Sequence, residues 1–179
     1  LLGGAAQYDT CQGCGTHAHR TRDDIGRWIY PAIRPDGKRV RLLKVLQSNV
    51  CENDCAYCAH RSGRDIRRSA FSPDELARAF SELARRGQAE GLFLSSGMCG
   101  RVEHATERML ATVELVRRRY QFKGYVHLKI LPGADDASIE TSLRLAQRVS
   151  VNLEAPSAER IRALSHIKDW DKQLVAPLR

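Results

Sequence analysis

Residues 40–61, VRLLKVLQSNVCENDCAYCAHR, join an apolar run to a tight set of cysteines. The run at residues 40–46 is short and rich in Val and Leu, so it reads as a β-strand. Directly after it, Cys51, Cys55 and Cys58 are spaced C-x3-C-x2-C, with the aromatic Tyr57 just before the third cysteine. Three thiolates this close can hold three irons of a [4Fe–4S] cube and leave the fourth iron without a protein ligand. Two other readings stand beside that one: a zinc site completed by His60, or thiols that bind no metal. Zinc sites usually pair two such knuckles, and electron-transfer clusters use further cysteines; spacing alone leaves these alternatives open, and the aromatic and the elements further along the chain favour the cube.

The sequence after the cysteines repeats one pattern. Ser72, Pro73 and Glu75 supply a cap, a first-position proline and a capping-box carboxylate for a helix. Leu76, Phe80 and Leu83 share one face of it, and Gly87 stops it. A second unit has a strand at residues 91–95, GLFLS, a glycine-containing turn, and a helix over residues 105–120 with Met109, Val113 and Val116 at helical spacing. The third has YVHLKI at residues 125–130, the loop LPGADD, and a helix carrying Ile139 and Leu143. A fourth strand at residues 149–154 precedes a short helix from Ser157. Strands alternating with helices predict a parallel sheet with right-handed crossovers, covered by helices.

In such architectures, ligands gather at the C-terminal ends of the strands. The unusual polar clusters all fall at that edge: the cysteines after the first strand, Ser95-Ser96-Gly97 after the second, Pro132-Gly133 after the third, and Asn152 with Glu154 at the end of the fourth. Asn152 and Glu154, two apart on a strand, are expected on one face, with capping of the next helix as the alternative. For Gly97 the alternative is a tight strand-to-helix turn. His127 and Lys129 also alternate to one side, either toward a ligand or as a satisfied interior pair.

The 179 residues suffice for one domain with a substantial core. Residues 1–38, broken by glycines and prolines, read as an irregular lead-in, and residues 39–179 as the core domain. With no initial methionine and an end at VAPLR, the chain reads as a fragment. No stretch approaches the roughly 20 apolar residues of a membrane span, and the start lacks a secretory pattern. Six cysteines, three of them in one motif, fit a reducing cytosol, so a cytoplasmic protein with no membrane partner is expected. Cys11 and Cys14, near His17 and His19, read as an incidental thiol pair, with a metal or auxiliary cluster as the alternative. The net charge of +8 invites polyanions. Arg85, Arg86 and Arg117 to Arg119 are expected on solvated helix faces, whereas Arg61, Arg64, Arg67 and Arg68 lead away from the cysteines and are candidates for attracting an anionic substrate or reductant, with a solvated loop as the alternative.

The pattern C-x3-C-x-aromatic-C resembles that of the radical S-adenosylmethionine (SAM) superfamily. Together with AAQYD, FSPDEL, EGLFLSSGM, GYVHLKILPGA and SVNLEAPS, it makes residues 5–169 similar to the proteins described as DNA modification or repair radical SAM proteins, which have a biotin synthase-like core. The resemblance implies an α/β fold, a partial (β/α) barrel of the radical SAM type with about four βα units of the usual six, and hence a C-terminally truncated piece. It implies a [4Fe–4S] cluster on Cys51, Cys55 and Cys58, and SAM as second cofactor, reductively cleaved to a 5′-deoxyadenosyl radical. Radical chemistry then rests on cluster and SAM, and no catalytic side chain is assigned. Ser95, Ser96 and Gly97 correspond to a glycine-rich motif that meets the SAM amino group, Asn152 and Glu154 to residues that hold the ribose, and Tyr57 and Lys129 also fall among the cofactor contacts. The implied partners are an electron donor such as flavodoxin or ferredoxin, and DNA. A radical SAM enzyme acting on a small molecule and a non-catalytic zinc or iron–sulfur module are the alternatives; formation of 5′-deoxyadenosine separates the enzymes from the module.

Overall fold

The structure is a computed structural model that describes residues 1–6, 29–33 and 36–179. The Cys11–Cys14 pair lies outside the described residues. A short helix α1 (Leu2–Ala5) precedes a five-stranded sheet in the order β1 (Ile29–Ile33), β2 (Arg39–Leu46), β3 (Gly91–Ser95), β4 (Tyr125–Lys129), β5 (Arg148–Ser150). Strands β2 to β5 run parallel, with α2 (Pro73–Arg85), α3 (Val102–Glu114) and α4 (Asp136–Leu145) as crossovers and α5 (Ala158–Leu164) after β5. This is the expected α/β arrangement of βα units, a partial barrel.

Strand β1 lies in the stretch read from sequence as irregular. Pro31 was the misleading residue. It sits in an antiparallel edge strand opposite Arg41, where a missing N–H is tolerated. The helix expected over residues 105–120 begins at Val102 and is regular to Glu114, then widens into a π-helical turn, Leu115–Arg119. Helix α4 is also rotated from expectation: Leu143 is 57% exposed, and the buried residue is Ser142, whose hydroxyl is satisfied by the Ser138 carbonyl at 2.8 Å.

Alternation along the strands gives the sheet two faces. Leu43, Val45, Leu92, Leu94, Val126 and Leu128 pack with Leu76, Ala77 and Phe80 of α2 and with Ala105, Met109 and Val113 of α3 in the main core. Helix α2 starts as its sequence predicts, with Ser72 and Glu75 closing a capping box and Pro73 in its first turn. Lys44, Phe93, His127 and Arg148, successive partners across the strands, lie on the opposite face. Among the described residues, no helix is long and apolar enough to cross a membrane.

Candidate functional site

The loop after β2 is closed at its base by buried amides. Gln47 donates from Nε2 to the Phe71 carbonyl at 2.8 Å, and its Oε1 accepts the Thr112 hydroxyl at 2.7 Å. Asn49 donates to the Arg67 carbonyl at 2.9 Å and accepts the Ser69 N–H at 2.7 Å. Both amide side chains are 1% exposed, and Ser48 bridges Ala70, so the chain on either side of the cysteines is drawn together like two short strands. Buried amides are held only where their hydrogen bonds are met, as here.

Arg68 then fills the loop. Its guanidinium donates to the carbonyls of Asn49 and His60, both at 2.7 Å, of Arg61 at 2.8 Å and of Arg64 at 3.1 Å. This corrects its expected role: the side chain grips four carbonyls of the cysteine loop, because five fixed donors suit a curved backbone. Arg64 and Arg67 remain exposed. Arg117, expected on a solvated face, likewise binds the carbonyls of Leu145, Phe122 and Gly124 and the Gln147 amide.

A cavity of about 850 Å³ opens where the parallel strands end, lined by Cys51, Cys55, Tyr57 and Cys58 from the loop, Ser95, Ser96 and Gly97 after β3, Lys129 at the end of β4, and Asn152 and Glu154 after β5. The three cysteines and the seven residues named as cofactor contacts therefore border one space, whereas Gly133, Arg61, Arg64, Arg67 and Arg68 are not in its lining. Cys55 is buried, and Cys51 and Cys58 are half-buried. Burial pushes the Cys58 thiol up, while the His60 N–H, 3.3 Å from its sulfur, acts in the opposite direction. Among the described residues, no three His, Cys, Asp or Glu side chains converge on a single ion. A cube makes a different demand, since each thiolate takes its own iron, and three thiols on one loop bordering one cavity fit that donor set.

Gly97 is packed tightly. A Cβ there would run into the Val50 carbonyl and come within 3.2 Å of the Ser48 carbonyl, which the Gly97 N–H also meets at 2.7 Å. It thus docks the end of β3 against the root of the cysteine loop, and close backbone approach rather than a positive φ is what requires glycine there. The Ser96 hydroxyl donates to the Gly97 carbonyl, and Ser95 is buried.

Strand β5 is shorter than expected and ends at Ser150, with Asn152 and Glu154 beyond the ladder. Glu154 has a left-handed backbone, φ 65°, and Pro156 follows, so strand alternation no longer governs where these side chains go. They reach the cavity separately: Asn152 Oδ1 accepts from Lys129 Nζ, and Glu154 pairs with Lys168 Nζ at 3.5 Å. Neither caps α5, whose N-cap is Ser157, accepting from the Arg160 N–H. His127 is 4% exposed, with Nε2 at 2.7 Å from Ser150 Oγ and its ring edge-on to Phe93. Burial, with the charges of Arg148, Lys129 and Lys44, pushes its imidazole down to about 3, so it is neutral at ordinary pH.

Sequence reading missed Gln47, Asn49, Ser165 and Lys168. The first two had a signal, since polar amides directly continuing an apolar strand ask for partners. Lys168, more than a hundred residues from the cysteines, had none.

No family model matches this chain, and no curated protein matches it. Its fold does recur among solved structures. These include HydG, a maturase of the [FeFe]-hydrogenase, at TM-score 0.61 and 15% identity over 74% of this chain and 30% of that one. The FeFe-hydrogenase maturase HydG from Carboxydothermus hydrogenoformans matches at TM-score 0.61 and 17% identity, over 73% and 31%. Methylornithine synthase, PylB, matches at TM-score 0.62 and 17% identity, over 75% and 39%. The chain thus spans between 30% and 39% of the length of these structures. These likenesses show a shared fold, the partial α/β barrel described above, over part of each of those chains.

Proposed function

We propose that this chain forms the core of a radical SAM enzyme, in which Cys51, Cys55 and Cys58 hold a [4Fe–4S] cluster and SAM occupies the adjoining cavity. The observation that carries this reading is the convergence of Tyr57, Ser95, Ser96, Gly97, Lys129, Asn152 and Glu154 with the three thiols around one space at the strand ends. The bound cluster supplies an electron, drawn from a flavodoxin or ferredoxin, for cleavage of SAM to methionine and a 5′-deoxyadenosyl radical. The protein's part is binding and orientation. Glu154 and Asn152 offer a carboxylate and an amide to the ribose diol, and Lys129 holds the Asn152 carbonyl oxygen, which orients that amide.

Anaerobic reconstitution should give an oxygen-sensitive cluster whose iron is lost when the three cysteines become alanine, and reductant should then yield 5′-deoxyadenosine from SAM. Stoichiometric zinc, or iron unaffected by the triple substitution, would refute the assignment. Loss of a hydrogen bond to a charged group costs about 1.5–3 kcal/mol, so Glu154→Ala should weaken SAM binding roughly 10- to 150-fold at unchanged iron content.

A nucleic-acid substrate is a second reading, carried by the sequence resemblance and by exposed Arg64 and Arg67 beside the cysteine loop. Because Arg68 is engaged within the loop, phosphate contacts fall to those two residues. Duplex binding that weakens steeply with salt and is reduced in Arg64→Ala/Arg67→Ala supports it, and salt-insensitive or absent binding favours a small-molecule substrate.

A further inference from the structure

Lys168 belongs to none of the motifs, yet its ammonium is among the most enclosed charges of the site. Its side chain is 6% exposed, and Nζ lies 2.9 Å from the Tyr57 hydroxyl and 3.5 Å from Glu154 Oε1. The same nitrogen is 5.5 Å from the centre of the Tyr57 ring. A buried ammonium is tolerated only where oxygens surround it, and here those oxygens come from two separate segments that line the cavity. Tyr57 sits in the loop between Cys55 and Cys58, and Glu154 lies beyond β5.

The turn that delivers Lys168 is itself fastened to the cysteine loop. The Ala56 N–H donates to the Leu164 carbonyl at 2.7 Å. The Asp54 carboxylate accepts from the Ser165 hydroxyl and from the His166 N–H. Ser165, 3% exposed, in turn accepts from the N–H groups of Ile167 at 3.3 Å and Lys168 at 3.2 Å. Asp54 thus grips Ser165, Ser165 shapes the turn, and the turn presents the ammonium.

We infer that Lys168 is a positioning residue for SAM, setting Tyr57 of the cysteine loop and Glu154 of the ribose site at a fixed separation; the inference rests on the SAM site proposed above. A carboxylate has two oxygens. With Oε1 directed to Lys168, the other is left for the ribose. Removing the ammonium leaves the Tyr57 hydroxyl and the Glu154 carboxylate with only their bond to each other, which loosens the adenosyl site without touching a metal ligand.

The test uses reconstituted protein and SAM itself, with affinity by equilibrium dialysis, iron per chain, and 5′-deoxyadenosine formation as a function of SAM concentration. Lys168→Met should raise the Kd and KM for SAM about 10- to 100-fold, while iron content and kcat at saturating SAM stay within about threefold. Lys168→Arg should recover most of the affinity. Lys168→Met introduced into Glu154→Gln should add little, since the two act through one contact. Normal SAM affinity in Lys168→Met, with weakened binding in Glu154→Ala, overturns this inference and leaves the SAM site standing. Normal affinity in both overturns the two together. A fall in kcat at unchanged Kd also overturns it. Should Lys168→Met lose its iron, Tyr57→Phe decides, because it keeps the ring and removes the bonded hydroxyl: SAM affinity weakened several-fold supports the inference, and unchanged affinity overturns it.

Discussion

On one face of the sheet, Leu92, Leu94, Val126 and Leu128 are almost wholly buried under α2 and α3, whereas on the other, Ser95, His127, Lys129, Arg148 and Ser150 border a cavity. Strands β2 to β5 supply both. The helix-covered face is held by apolar burial, which has no direction and depends on area. The cavity face and its cysteine loop are held by hydrogen bonds to named atoms, which are directional and are felt one by one. Damage to the first should therefore spread through the molecule, and damage to the second should stay near the site.

The sharpest way to break that contrast is Phe80→Ala. Phe80 is 0% exposed and meets Phe122 edge-on with centroids 4.8 Å apart. Its truncation should cost about 3–5 kcal/mol in urea unfolding. A loss confined to the cysteine loop would erase the distinction.

Next comes pH. The His127 imidazole is held at about 3 by burial and by Arg148, Lys129 and Lys44, against an ordinary value of 6.5. Between those values the unfolded chain binds the extra proton. Stability is therefore highest above pH 6.5, falls as pH drops, and reaches a full loss on the order of 4 kcal/mol below about pH 3. Unfolding midpoints from pH 7 to 4 should decline less steeply in His127→Gln than in the parent chain. Equal slopes would mean that this histidine is not held neutral.

Arg68→Met should cost about 2–3 kcal/mol, expressed locally as faster amide exchange in residues 49–64 and reduced iron uptake, with the α2–α3 core unchanged. Arg68 bonds four carbonyls of that loop, so uniform loosening of the whole sheet would contradict the division. The smallest effect is expected from Glu90→Gln at the other end of the strands. Its pair with Arg41 is 3.1 Å long, but both side chains are about half exposed, at 47% and 53%. Such pairs contribute roughly 0–1 kcal/mol. The carboxyl lies below its ordinary range through hydrogen bonds from Arg41, and any difference between the two forms should vanish as pH falls through that depressed value.

Much of the fold was legible because its signals are local. The capping box at Ser72 and Glu75, the apolar face of α2 and the short Val- and Leu-rich strands each depend on residues a few positions apart. Strand β1 was lost because Pro31 is a breaker in isolation and harmless on an edge, and a sequence does not mark edges. Leu143 was misassigned because helical spacing says which residues share a face, while the neighbours of α4 decide which face is covered.

The site divides in the same way. The C-x3-C-x2-C spacing and its aromatic determined the proposed donor set, since those residues lie on one loop and must stay together however the chain folds. The strand-end positions of Ser95 and Lys129 followed from the repeating βα pattern, while Asn152 and Glu154, expected within the fourth strand, lie just beyond its end. Only the tertiary structure decided that Arg68 serves the loop rather than a ligand, that Gly97 seats against Val50, and that Lys168 arrives between Tyr57 and Glu154. Those contacts join segments that are distant along the chain or not in periodic relation, and hydrogen bonding is directional, so composition and spacing do not encode them. They arise once the parallel sheet has brought the strand ends to one edge.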